Sequence, residues 1–346
     1  MNISRRAVLS GASAALAANA FALPGLARAQ SQQVIVGLWG GDYGDLMQKL
    51  VDQPLLAPKG VEVLQVIGDE DTRKTKLLAE RQSRRASMDV VFLGDDNMYL
   101  LAQQGLFEEM SPDKASRLSA VKPELRKPYS VPQLYSYRVI LYNSELVASP
   151  PRSYAELSDP KWRGRIGLAD DDYLENVQAA ALAAGGKASD LELAKQKLIE
   201  WRDQDMKIYP SNEALAAALK SGEIWITVLW LARGVMWQKA SMPLKAIVPA
   251  EGAMPVTFEA AVPRNARNKE AAWQYINALL EVSAQAGFTD KMGYLPTVTD
   301  ARLPAELESQ LTSAGGADMK LLTKDYPSLV KVQDQALDFW NKQFKG

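Results

Sequence analysis

The 346-residue chain has no cysteine and no histidine. Without cysteine there is no disulfide, thiolate zinc site, iron–sulfur cluster or thiol nucleophile. Without histidine there is no Ser-His-Asp relay and no histidine metal site. Those are the commonest toolkits of secreted hydrolases, so any catalysis would rest on carboxylates or lysine. Excess positive charge is missing too: 40 Lys and Arg stand against 41 Asp and Glu. With no basic tract, the chain offers no footprint for a nucleic-acid partner. Nothing repeats at a fixed period, and no segment is low in complexity.

What is present begins with a polar start carrying Arg5 and Arg6, an apolar alanine-rich run from Ala12 to Ala22, and Ala27-Arg28-Ala29. Basic start, apolar middle and small-x-small end are the order of a secretory signal, with cleavage expected after Ala29. The run falls short of the ~20 residues of a permanent anchor. Ser4-Arg5-Arg6 followed by Val8-Leu9 resembles the twin-arginine signal, which addresses folded cargo. An ordinary secretory signal with two arginines is the alternative. Losing residues 1–29 removes Arg5, Arg6 and Arg28 and no acid, leaving 37 bases against 41 acids, a net charge of −4. No second long apolar segment follows, so a soluble periplasmic protein is expected, of a length that suits one large or two medium domains.

The rest reads as α/β. Val34 to Leu38, Val61 to Ile67 and Asp89 to Leu93 are short buried-type strands. Each delivers its C-terminal end to a polar loop and a helix start. In open α/β sheets such loops form the ligand crevice. A second block begins after a strand at Tyr137 to Tyr142, with strands at Arg165 to Ala169, Ile224 to Leu229 and Thr257 to Val262. Ser153 and Glu156 have capping-box spacing. Ser211-Asn212 and Asn268 are expected to cap helices, and Pro327 suits a first helical turn.

Several ordered segments carry a family resemblance. They are Trp39 with Tyr43; Asp89-Val90-Val91 with Gln104-Gly105-Leu106; Val131-Pro132 eleven residues before Asn143; and Asp159-Pro160-Lys161-Trp162-Arg163-Gly164-Arg165. Gly222-Glu223-Ile224-Trp225, Ala261-Val262-Pro263, Asn268-Lys269-Glu270 and Gly293-Tyr294-Leu295-Pro296-Thr297 follow. Their wording and order resemble bacterial extracellular solute-binding proteins of the spermidine/putrescine-binding type. The resemblance implies a two-lobed periplasmic binding protein (type II-like) with the ligand cleft between lobes. Lobe one would take residues 30–138 and 256–296, and lobe two 139–255 and 297–346. It further implies a monomeric, non-enzymatic receptor of an ABC importer, with no cofactor or metal, handing a small solute to an inner-membrane permease.

Under that resemblance Trp39, Tyr43 and Trp230 wall the ligand, with ordinary packing beneath the loop the other reading of Trp39 and Tyr43; an aromatic face attracts a cation by about 0.5–2 kcal/mol. Asp172 and Glu175 match two family carboxylates that hold ammonium groups, although acids at a helix start also complement its dipole. Asp96 lies in a strand-end loop as either a solute contact or a cap, and Tyr294 lies in the Gly293–Thr297 loop. Two family acids are absent: their positions fall on Ala232 and Phe258, with Glu259 the neighbour expected to substitute for the second. Arg138 and Arg233 appear instead, and a guanidinium fork suits a carboxylate better than a diamine. The expected solute is amine-bearing, amino-acid-like or a polyamine, with the arginines favouring one that also carries an acid group. The same arginines read equally as salt-bridge partners. A ferric-ion receptor and a secreted carboxylate-dependent enzyme are the other readings; adjacent tyrosines, which the former relies on, are missing.

Overall fold

The computed structural model describes residues 32–315 and 320–346; the expected export signal lies outside them. The first half alternates strand and helix: β1 (Gln32–Leu38), α1 (Asp42–Met47), β2 (Val61–Ile67), α2 (Glu70–Glu80), β3 (Val90–Gly94) and α3 (Asp95–Gln103). β1 pairs in parallel with both β2 and β3. Val90 to Leu93 is buried on both faces, as a central parallel-type strand requires. Asp69 caps α2, its carboxylate accepting from the Thr72 amide at 2.7 Å.

The long strand β4 (Val131–Asn143) leads into the second half. It begins six residues before the expected strand, and Pro132 is accommodated there beside a register irregularity between Pro132 and Leu134. There follow β5 (Ile166–Ala169), α4 (Tyr173–Ala183), α5 (Leu191–Asp203), β6 (Lys207–Tyr209), α6 (Asn212–Ser221), β7 (Ile226–Trp230), α7 (Leu231–Lys239) and β8 (Leu244–Ile247). β5 pairs in parallel with β6 and β7. Ser211 caps α6 as expected, accepting from the Ala214 amide at 3.3 Å. The chain then runs back through β9 (Pro255–Ala261), α8 (Lys269–Leu279), α9 (Val282–Met292), β10 (Leu295–Pro296), α10 (Ala305–Ser313) and α11 (Tyr326–Phe339). Asn268 precedes α8 without a side-chain cap, whereas Asp325 caps α11 and Pro327 lies in its first turn. Helices α9 and α10 have no counterpart in the sequence expectations.

The strand order is β2-β1-β3-β9-β4-β7-β5-β6, with β8 and β10 each pairing β4. β4 changes partner midway: Tyr137 is registered with Pro255 of β9, and Arg138 with Trp230 of β7. Separate apolar cores form on the two sides of that change. One gathers Val36, Phe92, Tyr275 and Phe288; another gathers Ile140, Leu168, Trp201 and Trp340. The expected α/β architecture is therefore present, and the C-terminal ends of β1, β3, β5, β6 and β7 all lead into loops or helix starts. No described helix is long and apolar enough to cross a membrane.

Candidate functional site

A cleft of about 510 Å³ collects several of those strand ends. Trp39 follows β1, Glu70 opens α2, Asp171 and Asp172 follow β5, Asn212 and Glu213 open α6, and Trp230 ends β7; all line it. Tyr43 from α1, Leu134 from β4, Arg233 from α7, Phe258 from β9, and Met292 and Tyr294 around the end of α9 complete the wall. Six of the ten residues singled out in the sequence therefore share one cavity: Trp39, Tyr43, Asp172, Trp230, Arg233 and Tyr294.

Its aromatic wall is a chain of edge contacts, Trp39 to Tyr43 at 5.5 Å, Trp39 to Phe258 at 5.3 Å and Phe258 to Tyr294 at 5.4 Å between ring centroids. Tyr43 donates its hydroxyl to Gln133 Oε1 at 2.8 Å, which fixes its ring. Burial pushes the Tyr43 hydroxyl far above its ordinary pKa, and burial pushes Tyr294 up to about 12 against the opposing Arg233 charge. Both hydroxyls are neutral at neutral pH. Tyr294 enters the cleft through Gly293, whose φ of +71° and whose position 2.6 Å from Val235 Cγ1 (measured to an added Cβ) leave no room for a side chain.

Both tryptophans already face guanidinium groups. Arg73, inside α2, lies 4.5 Å from the Trp39 centroid and is fixed by donating to the carbonyls of Phe92 and Gly68. Arg138 and Arg233 lie 5.8 and 5.7 Å from the Trp230 centroid. Arg138 is buried behind the wall and outside the lining, its Nη1 donating to Asp172 Oδ2 at 3.1 Å and Nη2 to Asn176 Oδ1 at 3.0 Å. Its exposure is 1 %, so the residue reaches the cavity only through Asp172. Among the described residues, the buried Arg233 Nε and Asn212 Oδ1 have no hydrogen-bond partner, whereas the Trp230 indole nitrogen is directed toward the Tyr294 hydroxyl. Buried polar atoms without partners are uncommon, and both belong to residues of the lining.

Carboxylates outnumber bases in the lining. Burial pushes Asp172 up to about 6, with Arg138 opposing and Glu175 reinforcing. Burial likewise raises Glu70 and Asp171. A cation brought into the lining would favour the ionised form of each.

The remaining expected residues lie elsewhere. Strand alternation sends Phe258 into the cleft and Glu259 to the opposite face, so Glu259 cannot stand in for an acid at position 258. Glu259 is fully buried, paired with Lys127 and accepting from Ser130 Oγ at 2.5 Å and Thr257 Oγ1 at 2.7 Å. Ala232 is also fully buried, its amide donating to Ser136 Oγ, so that position faces packing and not solvent. Asp96 binds Lys324 at 3.4 Å instead of facing the open cavity. Among the described residues the Glu175 side chain has no hydrogen-bond partner, and its charge reinforces the upward shift of both Asp172 and Asp96. Lys324 and Tyr326 were not anticipated, since neither lies at a strand end. Arg73 was not anticipated either, as a basic residue within a helix carries no local signal. Glu70, Asn212 and Glu213 are helix-start residues that strand-end logic could have found. Among the described residues no group of three His, Cys, Asp or Glu side chains is arranged to hold a metal ion.

The comparisons bear on the fold and the family. A solved ABC transporter protein from Clostridium perfringens superposes with a TM-score of 0.75 at 21 % identity, covering 89 % of this chain and 99 % of that one. The spermidine/putrescine-binding periplasmic protein of Salmonella typhimurium is 26 % identical over 208 residues, which is 56 % of this chain and 59 % of that protein. The γ-aminobutyric acid-binding protein of Pseudomonas aeruginosa is 24 % identical over 301 residues, covering 83 % of this chain and 84 % of that protein. Residues 57–313 match the family model of the bacterial extracellular solute-binding proteins, and the chain belongs to that family.

Proposed function

We propose that the chain is the periplasmic solute-binding receptor of an ABC importer, and that its solute bears both an amine and a carboxylate. One observation carries the reading: a cleft walled by two tryptophans presents Glu70, Asp171, Asp172 and Glu213 together with an Arg233 whose buried Nε has no partner among the described residues. The acids suit an ammonium, and the arginine suits an oxygen anion. A diamine would leave Arg233 unanswered beside its own charge. The relatives are named for polyamines and for γ-aminobutyrate, and the arginine favours the second kind of solute. Export by the twin-arginine signal, release of the mature chain after Ala29 and transfer to a membrane permease complete the proposal.

The two lobes divide, in this reading, at residues 138/139 and 255/256, with 297–346 joining lobe two. The change of β4 partner between Tyr137 and Arg138 supports the first boundary; the packing of α10 on β8 supports the last assignment, while α11 packs on α4 and α5 and on α3 as well.

A thermal-shift screen of residues 30–346 against polyamines, amino acids, γ-aminobutyrate and organic acids tests the solute. A solute at a thousand times its Kd adds about 4 kcal/mol. The expected result is a large shift with an ω-amino acid or amino acid, one-to-one binding and no turnover. Tight binding of putrescine or spermidine with no response to any carboxylate would overturn the solute class. Turnover of a bound compound would overturn the receptor role.

A further inference from the structure

Next to the open cleft lies a second, filled site. Lys324, just before α11, has a side chain only 1 % exposed. Its ammonium donates to Asp95 Oδ1 at 2.9 Å and Asp96 Oδ2 at 3.4 Å. Glu175 is near enough for its charge to act on Lys324 and Asp96 alike. The Tyr326 ring centroid lies 5.9 Å from the ammonium, and its hydroxyl donates to Asp95 Oδ2 at 2.9 Å. Tyr99 stacks on Tyr326 at 5.2 Å and holds that ring in place.

Two carboxylates accepting from one ammonium, beside an aromatic ring that Lys127 also faces at 4.3 Å, are the chemistry that recognises a primary amine. An ordinary ion pair needs one acid. Here two accept from the same ammonium, and Asp96 Oδ1 is buried with no hydrogen-bond partner among the described residues. Burial works against the Lys324 charge, yet the surrounding acids raise its pKa above the ordinary value. The cage adjoins the cleft on two sides. Glu175 lies one helical turn from the lining residue Asp172, and the lining residue Glu70 accepts from the Gly94 amide at the entrance to Asp95 and Asp96.

We propose that Lys324 is a tethered ammonium that fills an amine cage at one end of the cleft and so excludes solutes that would place a second amine there. The inference rests on the receptor reading of the cleft. A diamine entering the cage must either displace Lys324, stranding a charge, or crowd a second cation against it. A solute with a single amine leaves the cage untouched. Lys324 thereby selects against the diamines that the carboxylates alone would welcome.

Lys324→Ala tests this, using n-propylammonium as the probe. Propylammonium is expected to raise the Tm of the variant and not that of the wild type, while tetramethylammonium, which has no N–H, raises neither. The variant is also expected to bind 1,3-diaminopropane, putrescine or cadaverine at least about tenfold more tightly than the wild type. No amine-dependent stabilisation together with unchanged diamine affinity would overturn the proposal. Should the variant not fold in buffer, refolding in propylammonium carries the same test: recovery supports the cage, and failure while Lys324→Arg folds overturns it. Rescue reads the cage alone, so it stands apart from the solute screen. A wild type that binds cleft solutes beside a variant that no amine rescues defeats this inference only.

Discussion

Arg138 and Trp230 are registered partners across the β4–β7 pair, and the guanidinium lies 5.8 Å from the indole centroid. The same guanidinium holds Asp172, so one buried cation braces both an aromatic and an acidic wall of the cleft. Arg138→Met is expected to lower stability by about 3 kcal/mol near neutral pH, because it leaves Asp172 buried without its counter-charge. Since burial already brings Asp172 to about 6, the loss should shrink at about pH 5, where the carboxyl protonates at little cost. Denaturant unfolding at both pH values checks this; an equal loss at each would place the cost elsewhere.

Arg233 is the cleft cation with an unpartnered Nε. Replacing it with leucine should weaken a carboxylate-bearing solute by about 1.5–3 kcal/mol, the range for a hydrogen bond to a charged group. Amines without an acid group should bind no worse. Titration calorimetry with a matched pair, an ω-amino acid and its decarboxylated amine, distinguishes the two; equal losses for both would remove the anion-binding role.

Trp39 and Trp230 stand on opposite sides of the change in β4 pairing. Either Trp39→Ala or Trp230→Ala should abolish the solute-induced Tm shift, which at a thousand times Kd amounts to about 4 kcal/mol. Circular dichroism would show whether each variant keeps the fold. Unchanged affinity in both would sink this cleft as the binding site.

Stability should rise as pH falls from neutral. Burial lifts Asp52 and Asp172 to about 6 and Asp96 to about 7 from an ordinary 3.8. An acid whose folded pKa is raised contributes stability that is complete below the unfolded value and lost as pH rises through the folded one. Facing Asp96 are Lys324, Asp95 and Glu175; facing Asp52 are Gln65 and Tyr275. Asp95 behaves oppositely: burial resists its ionisation, but Lys324 and Lys127 outweigh burial and hold it low. Its contribution disappears only as pH falls through the ordinary carboxylate range. Tm is therefore expected to be higher at about pH 5 than at about pH 8 and to drop again below about pH 4. Asp96→Asn should flatten part of the rise, and a monotonic fall in Tm from neutral to acid would contradict the assignment.

Gly293→Ala forces a side chain into a left-handed position pressed against Val235. A cost of about 1–3 kcal/mol is expected from the conformation and the contact together. Because Tyr294 follows directly, solute affinity should fall as well. Wild-type Tm and affinity would show that the turn relaxes without disturbing the wall.

The sequence reveals much of this cleft because strand ends in an α/β sheet are local signals. Trp39 follows Val34–Leu38 and Trp230 follows Ile226–Leu229, so each is placed by its own strand. Position 258 against 259 needs the phase of β9, and a one-residue ambiguity in a period-two element exchanges a lining residue for a buried one. Lys324 and Tyr326 were invisible for another reason. Lys324 meets Asp95 across 229 residues of chain, and no short pattern encodes such a meeting. Arg138 was found as a charge, but its burial behind Trp230 depends on which strand pairs with the second half of β4.

That shared strand also bears on how the molecule acquires its structure. Val131 to Tyr137 complete one side of the sheet, and Arg138 to Asn143 belong to the other. Neither side can finish its hydrogen-bonded ladder until β4 has found β9 and β7, partners far along the chain. Assembly is therefore dominated by distant pairings, which slow folding. Two halves that draw on successive stretches of one strand are coupled through it, and a single cooperative unfolding transition is expected however distinct their cores.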